Sequence, residues 1–206
     1  MDKISWRNTG RPVESEAYRE PWGCRDQEES ATTLIVGIGS LHGDDQIGFL
    51  VAEHLSLLDP RVCRVRRTDA PMRLLDWIDR FTTVHLIDAC RSGDRPGTLR
   101  RYQWPDPQLM QCGWSGTHDF DLPTVLRLAD QLDRLPACVT VWTIEGVTFG
   151  PGREASLAIE TWTRRAAKQI ESELLGKRHR SNKHEVTGCV PHSLTASQTR
   201  RKRADA

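Results

Sequence analysis

Apolar residues gather along this chain in two rhythms, and the alternation between them predicts a layered α/β domain. Thr32–Ile38 is a nearly continuous apolar run, the pattern of a strand covered on both faces. The chain breaks at Gly37 and Gly39 and resumes at Asp44 as a helix to about Leu58. Ile47, Leu50, Val51, His54, Leu55 and Leu58 share its inner stripe, and Asp59-Pro60 stops it. Val62–Thr68 alternates apolar and basic residues, which suits a strand near an edge. Asp69-Ala70-Pro71 then turns the chain into a short helix over Met72–Arg80.

Thr83–Ile87 is a third buried strand, closed by Asp88. Only nine residues, Ala89–Gly97, separate it from the next strand-like run, Thr98–Trp104. A parallel crossover needs about a dozen or more residues, so an antiparallel pairing is expected here, with the new strand at the far edge. The irregular segment Pro105–Thr117 can span roughly 40 Å, enough to return His118-Asp-Phe-Asp121 to the rim that holds Asp45 and Asp88. Asp121 suits an N-cap for a helix over Leu122–Leu132. Ala137–Ile144 reads as a fifth, parallel strand and Glu145–Gly152 as a loop. Glu154–Leu175 reads as a last helix that turns Leu157, Ile159, Trp162, Ala166, Ile170 and Leu174 inward. The expected fold is a three-layer α/β sandwich: a twisted five-stranded, mostly parallel sheet with one antiparallel strand, and helices on both faces.

Charge sharpens the boundaries. Residues 1–31 lack apolar periodicity and read as a disordered extension before a domain over 32–175. From Gly176 onward eight lysines and arginines stand against two acids, so residues 176–206 read as a basic, disordered tail. The body between is slightly acidic, which argues against nucleic acid as a partner. Six cysteines at wide spacing, with no Cys-x-x-Cys pair, fit core thiols in a reducing cytosol. Without a signal-peptide pattern or an apolar run of membrane-spanning length, a cytoplasmic monomer with no membrane insertion is expected.

The loop after the first strand carries the candidate chemistry. Gly37-Ile-Gly39 invites a dinucleotide reading, but the third glycine position holds His42, and two carboxylates would repel a pyrophosphate. Asp44 and Asp45 can each cap the helix; that task needs one acid, leaving the second for a ligand. Asp88 can be a strand-ending turn residue, and His118 can be a loop histidine packed on Trp114 or Phe120. Taken together, Asp45, Asp88 and His118 offer two carboxylates and an imidazole from different loops. That donor set suits Ni²⁺ or Zn²⁺ better than Mg²⁺ or Ca²⁺, and it leaves coordination positions open.

Gly37-Ile-Gly39 with Gly43-Asp-Asp-x-x-Gly48 resembles the opening motif of the nickel–iron hydrogenase maturation proteases. Leu86-Ile-Asp88-Ala resembles that family's strand-ending Asp-Ala, and Thr117-His118-Asp-Phe-Asp-Leu-Pro its Ser-x-His segment. The likeness covers about Thr32 to Leu175. It implies a phosphorylase/hydrolase-like sheet and a hydrolase of metal-dependent or aspartic type. Such an endopeptidase removes the C-terminal extension of the hydrogenase large-subunit precursor after nickel insertion, so that precursor is the implied partner. The metal, nickel delivered by the precursor or another divalent ion such as zinc, would be held by Asp45, Asp88 and His118. Asp69 maps onto a further family Asp near the cleft. Ser40 replaces the family's Asn, Ala70-Pro71 replaces glycines after Asp69, and His42 stands beside the acid pair as a candidate fourth ligand. Two rivals remain at this point: a nickel-checking chaperone of the same fold that holds the precursor without cutting it, and a small-molecule hydrolase.

Overall fold

The structure is a computed structural model that describes residues 32–114 and 120–181, with side chains described through residue 176. The strands are β1 (Thr33–Ile38), β2 (Arg64–Thr68), β3 (Thr83–Arg91), β4 (Leu99–Gln103), β5 (Gly113–Trp114) and β6 (Cys138–Glu145). The helices are α1 (Ile47–Leu55), α2 (Leu122–Gln131) and α3 (Ile159–Ser181). The sheet runs β2-β1-β3-β6-β4, and β5 is added to β3. β2, β1, β3 and β6 are parallel, while β4 and β5 are antiparallel to their neighbours.

Two apolar layers flank the sheet. On one face Leu34, Val36, Leu86 and Val141 pack against Leu122, Val125 and Leu126 of α2. On the other, Ile35, Ile87, Trp142 and Ile144 meet Ile47 and Val51 of α1 and Ala166 and Ile170 of α3. Consecutive positions of one strand thus feed opposite layers, which is why β1 and β3 read as unbroken apolar runs.

The expected edge strand is at the edge and antiparallel, but its partner differs from the expected one. β6, not β3, pairs with β4, and β6 lies between them. A short connection forbids a parallel return without demanding adjacency, because skipping one strand adds only about 5 Å. β3 also continues through Asp88 to Arg91, and β5 pairs with this overhang to make a sixth strand. The region read as one short helix is two 3-10 turns, Pro71–Asp76 and Ile78–Arg80. The last helix starts at Ile159 instead of Glu154, leaving Leu157 fully exposed, and runs on to Ser181, past the expected start of the tail. The late start has a cause in Asp44, described next.

Candidate active site

Backbone contact positions the first acidic loop. β1 and α1 touch so closely that a Cβ on Gly37 would lie 2.2 Å from the Gly48 carbonyl oxygen. One on Gly48 would lie 2.0 Å from the Ile38 oxygen and 2.6 Å from that of Ile87. Glycine at both positions lets the helix start press directly on β1 and β3. The intervening turn, a 3-10 helix over Gly43–Gln46, is thereby pushed into the crevice beyond the strand ends, with Asp44 and Asp45 both buried.

The two acids have different work, and neither side chain caps the helix. Asp44 reaches across to the loop after β6. Its Oδ2 accepts from the backbone N–H of Val147 at 2.7 Å and of Thr148 at 3.0 Å, and from the Ser156 hydroxyl at 2.7 Å. Its Oδ1 accepts from the Ser156 N–H at 2.7 Å. Burial opposes the charge on Asp44, but these donors together outweigh it and hold the carboxyl below its ordinary pKa. Ser156 is held on this carboxylate, and α3 starts only at Ile159.

Asp45 lies near Asp88. Asp88 is buried near the end of β3, and its carboxylate accepts from the adjacent Ala89 N–H at 2.7 Å. Burial and then the charge of Asp45 push the Asp88 pKa well above the ordinary carboxylate range. Two buried acids brought together by adjoining elements form a strongly negative point when both are charged.

The remaining sequence candidates divide. Asp69 is exposed, in the bend that follows β2 at the same end of the sheet. The Thr68 side chain closes that bend, accepting from the Ala70 N–H at 3.1 Å. Asp44 is engaged as a clamp by the four hydrogen bonds above. His42 is exposed, and its N–H donates to the Ser40 hydroxyl at 3.4 Å, so Ser40 serves the turn itself. His118 lies outside the described residues. Among the described residues no group of three His, Cys, Asp or Glu side chains is gathered to hold a metal.

Sequence reading missed Glu145, the last residue of β6, placed there in a loop. Its buried carboxylate accepts from Ser92 N–H (2.8 Å), Ser92 hydroxyl (2.6 Å) and Gly93 N–H (3.1 Å), fixing the turn that leaves β3. The available signal was an acid closing a β-branched run, the same pattern that singled out Asp88.

No protein-family model and no curated protein matches the chain. Solved structures do. The [NiFe] hydrogenase maturation protease HycI from Thermococcus kodakarensis is 26% identical, with a TM-score of 0.55 over 70% of this chain and 92% of its own. The hydrogenase maturating endopeptidase HybD from Escherichia coli is 20% identical, with a TM-score of 0.54 over 70% and 93%. An endopeptidase from Escherichia coli is 19% identical, with a TM-score of 0.57 over the same shares. In fold, the chain belongs with the hydrogenase maturation proteases. The match spans nearly the whole of each of these solved structures. No described helix is long and apolar enough to cross a membrane.

Proposed function

We propose that this protein is a hydrolase: an endopeptidase that removes the C-terminal extension of a nickel–iron hydrogenase large-subunit precursor after nickel insertion. The observation that carries the reading is the pair of buried acids Asp45 and Asp88, brought near each other at the strand ends of a maturation protease fold.

The pair fits a divalent cation, because a cation would offset the burial and, after it, the Asp45 charge that raise the Asp88 pKa. Asp45, Asp88 and His118 would hold it, a mixed oxygen and nitrogen set that suits nickel or zinc. The chain leading into His118 is anchored at Trp114, which pairs with Cys90, two residues beyond Asp88 on the same strand. When bound, the metal supplies Lewis acidity toward the scissile carbonyl. The protein's own residues orient the peptide. The Asp44 clamp holds the loop after β6 against the acid pair, and Asp69, exposed at the strand-end rim, is the free carboxylate available to accept a proton from water. Because so small a donor set would grip free metal weakly, the site would favour a precursor already carrying nickel, which couples cleavage to metal insertion.

The test is incubation with nickel-loaded precursor, read by the mass of the precursor's C-terminus. Asp45→Asn, Asp88→Asn and His118→Ala each abolish shortening while the fold is retained. Full cleavage by any one variant removes that residue from the site, and binding without a shortened product replaces the protease reading with a chaperone.

A further inference from the structure

β3 ends on a cation that the proposed reaction does not use. Arg91 is the last residue of the strand, three positions beyond Asp88 and thus about 10 Å further along an extended chain. It is exposed, and its guanidinium sits over the Phe149 ring, 4.7 Å from the ring centre. That ring is fixed at the rim. A Cβ on Gly146 would lie 2.5 Å from it, and one on Gly43 would lie 3.4 Å from the Phe149 Cα. Phe149 therefore belongs to the junction that the Asp44 clamp holds, where the Asp44 N–H also donates to the Thr148 carbonyl at 2.6 Å. The acids around the strand end are committed elsewhere. Asp44 holds Val147, Thr148 and Ser156, Glu145 holds Ser92 and Gly93, and Asp94 accepts from the Arg100 guanidinium at 2.7 Å. Among the described residues no carboxylate pairs with Arg91.

We propose that Arg91 is a specificity-determining residue that binds a carboxylate of the precursor's terminal segment, on an aspartate or glutamate about three residues from the cut. The inference rests on the precursor being the partner. Stacking on Phe149 occupies one flat face of the guanidinium and leaves its edge N–H groups free, the donors that grip a carboxylate with two parallel hydrogen bonds. It also settles the side chain before the peptide arrives, so less rotamer freedom is lost on binding. Distance sets the register. An extended peptide with its scissile bond at Asp88 carries its third residue about 10 Å away, the reach of Arg91 along the strand. Charge sets the ligand, because the anion that a peptide side chain offers to an arginine is a carboxylate. Held at one end only, that residue also fixes the direction in which the peptide crosses the buried acids Asp45 and Asp88.

The experiment reads two quantities on the intact protein: its affinity for nickel-loaded precursor, and the mass of the precursor's C-terminus afterwards. The first tests Arg91 and the second tests the protease reading, so the two can fail separately. Arg91→Ala weakens binding about tenfold or more, the loss expected when a charge-assisted pair of hydrogen bonds is removed. Each aspartate and glutamate of the precursor's terminal segment is then changed singly to its amide. One such precursor shows the same loss against the unaltered protein and no further loss against Arg91→Ala. Arg91→Glu binds more weakly still, and binding returns when that same acid is changed to lysine. Equal binding by Arg91→Ala, losses that add to it at every acid, or no binding by the unaltered protein overturns the proposal.

Discussion

Asp88 is a residue whose environment works against the fold and for the site. Its ordinary pKa is 3.8, and the folded value is held well above that by burial and by Asp45. The carboxyl is harmless to the folded state below its ordinary pKa, where it is protonated in both states. As pH rises toward the raised folded value, folding must bury a charge or take up a proton, and stability falls. Asp88→Asn therefore raises the metal-free melting temperature near pH 7, and the gain vanishes at about pH 4. Equal melting temperatures for the variant and the unaltered protein at both pH values would show that the Asp88 pKa is not raised by folding. Asp44 has the opposite sign. Its folded pKa is depressed, so its contribution is present above the ordinary value and is lost as pH falls through the folded one. Asp44→Ala strands three backbone N–H groups and a hydroxyl, and should cost about 3 kcal/mol in a denaturant melt. From sequence the adjacent acids gave no means of separating clamp from ligand, because the donors that occupy Asp44 come from 103 to 112 residues away.

At the scale of elements, the strands and helices were legible because burial imposes a period, and the boundaries failed where a side chain overrode it. α1 and α2 follow their apolar stripes; α3 starts late because Ser156 serves Asp44. The glycines of the first motif are read correctly as a turn, yet their deeper task is contact between a strand and a helix. Gly48→Ala should destabilise by about 3 kcal/mol or more, since the new methyl meets two carbonyl oxygens that belong to central strands. An unchanged unfolding midpoint would mean that α1 can lift from the sheet without penalty. Asp121 does cap α2, its Oδ1 accepting from the Thr124 N–H at 2.8 Å. Asp121→Ala should cost about 1 kcal/mol by the same measurement.

For the whole molecule, topology gathers what sequence scatters. Parallel β1 and β3 end side by side, so Asp45 and Asp88, 43 residues apart, share one crevice. Their meeting followed from the rule that loops after parallel strands line a common rim. The position of β6 between β3 and β4 did not, because a short connection fixes strand direction and leaves the number of skipped places open. The sixth strand was hidden for another reason: two residues, Gly113 and Trp114, are too few to show any alternation. The most direct measurement is the mass of a nickel-loaded large-subunit precursor incubated with this protein, with its Asp88→Asn variant, or alone. A shortened C-terminus with the unaltered protein, and full length in the other two samples, is the predicted result. Full length in all three, or equal shortening by the Asp88→Asn variant, would contradict it.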